Sequence, residues 1–211
     1  MERNNLPVSD KIVNRLEQML PGSIFFIQDL LDEGSAEAVR QQLTRLVKAN
    51  VIKRLSHGIY LVPKKLGGHG FLLPNPDDIA NAIARRDKSR IIPTGEVALW
   101  KLGLSTQVPL NYVYLTDGPS RGIKIEEKEG VTSYTITFKH ASPRNFALKG
   151  KITSQVIPAL KAIGQKNLTA EMYEKIELLI MREDLDDLKY DMAIAPAWIA
   201  KLIKESFNSY K

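Results

Sequence analysis

Apolar side chains recur at Ile12, Val13, Leu16, Met19 and Leu20, a helical spacing that predicts an amphipathic helix over residues 9–20. Ser9 is its expected N-cap and Pro21-Gly22 its stop. Ile24, Phe25 and Phe26 form an apolar run too short for a helix and read as a short strand. Residues 28–31 read as a short helix closed by Asp32-Glu33-Gly34. A third helix is expected from a Ser35 cap to about Asn50. Its apolar positions Ala36, Val39, Leu43, Leu46 and Val47 fall on one side. Beyond Asn50 the period shortens: Val51, Ile52 and Leu55 precede Ser56-His57-Gly58, and Ile59 to Val62 follow. Two β-prone runs about a glycine turn predict a hairpin.

Residues 66–76 are rich in Gly and Pro and read as a linker. The expected organisation is therefore a first domain over residues 1–65 and a second over 74–211. In the second, helices are expected over 77–84, 95–102, 152–163, 170–181 and 196–207, and strands over 112–116, 122–125 and 131–138. The fold class that follows is α+β: an N-terminal winged helix-turn-helix followed by a mixed α/β C-terminal domain. Helix, short strand, helix, turn, helix and hairpin is the order of a winged helix.

Charge sharpens this picture. The net charge is +6, but residues 36–65 alone carry seven Lys/Arg against one acid, Glu37. A locally basic segment suits a polyanion. The side of the third helix opposite its apolar stripe carries Glu37, Gln41, Thr44, Arg45 and Lys48, with Arg40 at its edge. A helix fits the major groove, where Gln can pair with adenine and Arg with guanine. Ser35 lies at the helix N-terminus, which favours a phosphate. Lys53, Arg54 and His57 surround the hairpin tip and would contact phosphates, which position a protein without selecting sequence. The expected partner is double-stranded DNA.

Enzyme classes find little support. The chain has no cysteine and three histidines; His57, His69 and His140 are too widely spaced for a metal site. No metal and no cofactor are expected. Glu183-Asp184-Leu185-Asp186-Asp187 reads as an acidic helix end or turn, and the segment from Gly118 to Gly122 as a β-turn rather than a phosphate loop. Trp100, Tyr112 and Tyr114 lie in apolar patterns and are expected in the core. Three basic groups of the second domain read as solvated charges balanced by acids: Arg85, Arg86, Lys88 and Arg90; Arg121 and Lys124; and Lys139, His140, Arg144, Lys149 and Lys151. No apolar run approaches the roughly 20 residues that span a bilayer, and the polar start carries no signal-peptide core. The expected location is cytoplasmic, with no membrane partner.

Residues 40–63 (RQQLTRLVKANVIKRLSHGIYLVP) resemble the helix and wing of AbiEi-type antitoxins of bacterial type IV toxin–antitoxin systems. Residues 94–109 (TGEVALWKLGLSTQVP), 112–121 (YVYLTDGPSR) and 138–145 (FKHASPRN) are similar to that family too. The resemblance extends over most of residues 1–164; the helices from Leu168 onward match nothing in it. It implies an N-terminal domain that represses its own operon and a C-terminal domain that opposes a toxin. The toxin it implies is nucleotidyltransferase-like and does not form a stable complex with the antitoxin. Neutralisation would map to the second and last of these stretches, with Ser105, Thr106, Gln107, Arg144 and Asn145 as the candidate residues of one site. A stand-alone winged-helix regulator and a protein or RNA interaction module without DNA binding remain open, as does a homodimer.

Overall fold

The computed structural model describes residues 6–65, 71–126 and 133–208. The chain divides into two compact units. One comprises Met1–Ile83 with Lys124–Ser133, the other Ala84–Ile123 with Tyr134–Lys211. The boundary expected at Lys65 and this division differ. Lys64–Lys65 (β4) pairs antiparallel with Phe71–Leu72 (β5), so the glycine- and proline-rich stretch carries a small hairpin of its own. The remainder of that linker, residues 66–70, lies outside the described residues.

The first unit opens with α1 (Val8–Glu17). Pro7 and not Ser9 precedes it; Ser9 lies inside the helix and its hydroxyl donates to Asp10. Proline is suited to this position because its fixed φ fits a helix entry and its missing N–H would have had no partner. Ile24–Phe26 (β1) leads into a 3-10 turn at Ile27–Glu33, where the Asp29 carboxylate accepts from the Phe26 N–H at 2.8 Å. Next comes α2 (Ala36–Lys48), which Ser35 caps by accepting from the Ala38 N–H. Asn50, at φ +56°, turns the chain out of the helix in the left-handed region that Asn tolerates better than most residues. The wing strands are β2 (Lys53–Ser56) and β3 (Ile59–Leu61). Their turn needs φ +71° at Gly58, which a glycine supplies without strain. The sheet order is β1-β3-β2, antiparallel throughout, with Phe25 opposite Tyr60 and their rings stacked at 5.5 Å.

Ile12, Leu16, Phe25, Leu30, Val39, Leu43, Leu46 and Ile52 close the core of this unit. Ala36 and Val47, expected in the apolar stripe, are only half-buried. Gly34 allows a close approach: a Cβ there would fall 2.7 Å from a Val8 methyl.

The chain continues through α3 (Pro76–Arg86) into a second sheet. It contains β6 (Ile91–Pro93), β7 (Asn111–Thr116), β8 (Arg121–Ile125) and β9 (Tyr134–His140), in the order β6-β7-β9-β8. The strand expected from residue 131 begins, among described residues, at Tyr134. β7 and β9 run parallel, with Tyr114 opposite Phe138. β9 brings the buried Ile136 and Phe138 to the interior of the sheet, and β8, with the polar Arg121 and Lys124, takes an edge. Tyr112 and Tyr114 are buried; Trp100, on α4 (Glu96–Lys101), is only half-buried. Four more helices follow: α5 (Thr153–Ile163), α6 (Ala170–Ile180), α7 (Leu185–Ile194) and α8 (Ala197–Asn208). They close a second core around Val156, Ile157, Leu160, Ile176, Ile180, Leu188, Ile199 and Ile203. Among the described residues no helix is long and apolar enough to cross a membrane.

One polar constellation anchors this core. The first N–H groups of a helix lack intrahelical acceptors; at the start of α5, and in the residues that lead into it, the N–H groups find two carboxylates from far along the chain. Glu183 accepts from the N–H groups of Lys151, Ile152 and Thr153, the last two at 2.6 and 2.7 Å. Asp191, completely buried, accepts from the N–H groups of Lys149 and Gly150 and from the Thr153 hydroxyl. Gly150 is required, since a Cβ there would collide with the Thr153 hydroxyl and the Glu183 carboxylate. Burial works to raise the Glu183 pKa, but the hydrogen bonds from Thr153 and Ile152 outweigh it and hold the carboxyl below the usual glutamate range. The rest of the acidic run opens α7, where Asp184 caps the helix by accepting from the N–H groups of Asp186 and Asp187.

Candidate nucleic-acid interface

The core face of α2 is set by Val39, Leu43 and Leu46, all buried. At 100° per residue, Glu37, Arg40, Gln41, Thr44, Arg45 and Lys48 then share an arc of about 140° on the opposite side. All six are exposed. Their local contacts are weak and short-range. Arg40 lies 3.8 Å from the Glu37 carboxylate, a solvent-exposed pair that holds little energy. The Gln41 side-chain amide donates to the other Glu37 oxygen at 3.2 Å. The Thr44 hydroxyl donates to the Arg40 carbonyl at 2.8 Å, so it is turned onto its own helix. Glu37 thus organises Arg40 and Gln41 from the first turn, where the helix dipole favours an acid. Arg45 and Lys48 extend the charge toward the helix end.

The wing adds its cations beside this arc. A bulge between Arg54 and Ser56 breaks the β2–β3 register, with Leu55 buried and Arg54 exposed. The Arg54 guanidinium folds along the tip, donating to the Ser56 carbonyl at 3.3 Å and to His57 Nδ1 at 3.0 Å. Arginine can only donate, so in this arrangement Nδ1 accepts and the imidazole proton resides on Nε2. Lys53, expected to contact phosphates, already has partners within the chain. It is half-buried, donates to the Asn50 side chain at 3.2 Å, and lies 4.5 Å from the centre of the Phe71 ring.

Within this unit, α2 and the wing border one concavity of about 840 Å³. Thr44, Lys48, Lys53, Arg54 and His57 reach it from the sequence-derived set; Ser35, Glu37, Arg40, Gln41 and Arg45 are not among its lining residues. Sequence reasoning missed Phe71 and Leu73, which line it as well. They come from the stretch read as a linker, and only the β4–β5 pairing brings that stretch back. Lys124 and Glu126 also line it; they lie 3.4 Å apart, and the Glu126 N–H donates to the Leu55 carbonyl on β2.

The candidates in the second unit are arranged less favourably. Ser105, Thr106 and Gln107 follow α4 in a loop where the Ser105 hydroxyl accepts from the Gln107 N–H. Arg144 and Asn145 lie in a 3-10 turn (Pro143–Phe146). Arg144 donates to the Ile194 carbonyl and Asn145 to Ser142. Arg144 and Asn145 line a cavity of about 50 Å³ together with Leu148 and Lys161; Ser105, Thr106 and Gln107 do not line it. It has room for only a few waters. Burial, reinforced by the Arg144 charge, holds the Lys161 ammonium below its usual range.

Several of the basic side chains read as balanced charges do meet acids. Arg86 and Arg121 both pair with Asp87, and Arg90 binds Asp117 at 2.8 Å. The Arg90 hydrogen bonds lower the Asp117 pKa, while burial, with the nearby Arg86, lowers that of Arg121.

The sequence profile of DUF6088, a family of unknown function, matches residues 11–188, and the chain belongs to that family. A search of the curated proteins finds no match.

Proposed function

We propose that this DUF6088 protein is a transcriptional repressor that binds duplex DNA, with α2 in the major groove and the wing on the flanking phosphates. The observation that carries this reading is the exposed polar arc of α2 beside the cationic wing, Gln41 and Arg45 on the helix and Arg54 at the tip. An amide and a guanidinium on one exposed helix face can read base edges, and cations beside them can position the backbone. Further support comes from the charge of residues 36–65, where seven cations face a single acid.

The proposal extends to the antitoxin role. In this reading the chain works in the cytoplasm by binding, performs no reaction of its own, and opposes a nucleotidyltransferase-like toxin without a stable complex. This part rests on the resemblance of residues 94–109 and 138–145 to AbiEi-type antitoxins. The test uses the full chain in cells carrying the operon's own promoter on a reporter and the neighbouring gene under induction. Wild type should silence the reporter and restore growth. Arg45→Ala should release the reporter and still restore growth; Arg144→Ala with Asn145→Ala should do the opposite. A wild-type chain that silences the reporter but never restores growth leaves a stand-alone repressor. One that never silences it removes the DNA-binding reading.

A further inference from the structure

The concavity beside the wing is built for more than a phosphate backbone. Its volume of about 840 Å³ lies within the range of small-molecule sites, roughly 300–1,000 Å³. Its lining has an apolar part and a cationic part; the single acid among its described residues, Glu126, lies 3.4 Å from Lys124, which offsets its charge. Leu55, Phe71 and Leu73 form an apolar wall, while Lys48, Lys53 and Arg54 bring cations to the same space. The two parts meet where the Lys53 ammonium lies 4.5 Å from the Phe71 ring centre. Duplex DNA lying along α2 and the wing offers phosphates and sugar edges to the cations, and has no flat apolar surface to bury against a recessed wall. An inorganic anion would satisfy the cations and leave the wall wet. A purely apolar ligand would bury beside charges it cannot match. The ligand that suits both parts carries an aromatic ring and an anionic group on one short frame.

We propose that this groove binds a nucleoside phosphate, its base against Leu55, Phe71 and Leu73 and its phosphates on Lys48, Lys53 and Arg54, and that occupancy displaces duplex DNA. The displacement rests on the DNA-binding reading, because Lys48, Lys53 and Arg54 serve both ligands; the binding of the nucleotide does not. Two sources present this chemistry: a free mononucleotide, and the unpaired nucleotides of a single strand, whose bases stack on aromatic side chains while cations track the backbone.

The experiment titrates the full-length protein by calorimetry with ATP, GTP and UTP in turn, with inorganic triphosphate as the base-free control. A fluorescein-labelled oligothymidylate, followed by anisotropy, is the single-strand arm. At least one nucleotide probe should bind, and the stronger arm identifies the source. Inorganic triphosphate should bind at least about tenfold more weakly, the loss expected when base stacking is removed. Phe71→Ala should weaken the nucleotide by a similar factor. Lys48→Gln, at an exposed helix position, should weaken it without disturbing the fold, which the thermal midpoint monitors. Lys201→Gln, an exposed cation on α8 that does not line the groove, should leave it unchanged. The proposal is overturned if no nucleotide or oligonucleotide binds at millimolar concentration, if triphosphate binds as tightly as the nucleotides, or if neither Phe71→Ala nor Lys48→Gln changes their affinity. Nucleotide binding by a chain that ignores its upstream duplex would retain the site and remove the DNA-binding reading. A bound duplex that saturating nucleotide does not release would refute the displacement alone.

Discussion

Removing Lys48 and Arg54 together should flatten the salt dependence of duplex binding by a calculable amount. Both side chains are exposed and reach the same side of the first unit. With Arg45 assigned to a base edge, the cations of α2 and the wing left for phosphates are Arg40, Lys48, Lys53 and Arg54. If each neutralises one phosphate, log K against log salt has a slope of about −3.6 per chain, at about −0.9 per contact. Raising salt from about 50 to about 200 mM should then weaken wild-type binding by about 150-fold. With Lys48→Gln and Arg54→Gln the slope falls to about −1.8, and the same change in salt weakens binding by about 12-fold. Anisotropy of a labelled upstream duplex at several salt concentrations measures both slopes. A random duplex of equal length should show the same loss, since phosphate contacts do not read sequence. A double variant whose slope matches wild type would show that these two cations do not face the backbone, and would refute the placement of the wing. A loss confined to the specific duplex would make the pair base readers.

Gln41→Ala or Arg45→Ala should each cost about 1–3 kcal/mol on the specific duplex and relax preference at one base pair; equal affinity for a library randomised at each position would show the change. At the α5 clamp, Thr153→Val removes the hydroxyl that donates to buried Asp191. Urea unfolding should show a loss of about 1–3 kcal/mol, the cost of leaving a buried acceptor short of a donor. Gly150→Ala should destabilise further, because the added methyl would displace the Glu183 carboxylate; an unchanged midpoint would contradict the geometry. The depressed pKa of Glu183 gives the clamp a pH signature. Its contribution is present above the ordinary glutamate pKa and is lost as pH falls through the lower folded-state value. The urea midpoint of Glu183→Gln should therefore fall less steeply than wild type across that acid window, and parallel curves would rule out Glu183 as the source.

Much of the first unit was legible in the chain because its information is local. The stripe Val39, Leu43 and Leu46 orients α2, Ser35 starts it, and Gly58 permits the tight wing turn, all within about two dozen residues. A helix period or a turn residue reports the faces of its own element, so the exposed arc from Glu37 to Lys48 followed directly. Where two elements far apart in sequence meet, periodicity is silent. β6 contains Pro93, which argues against a strand, and only its place at the sheet edge makes that tolerable. α7 buries Leu188 and the acidic Asp191, a pattern that reads as an acidic surface until the N–H groups of Lys149 and Gly150, just ahead of α5, arrive as its partners. The parallel pairing of β7 with β9 likewise depends on which strand can bury Ile136 and Phe138. In the same way Phe71 and Leu73 become part of a binding groove only through the return of the chain at β4 and β5. Local sequence determines which side chains an element can expose; packing between distant segments decides which of them share a site, because only burial makes their hydrogen-bond and apolar demands compete for the same space.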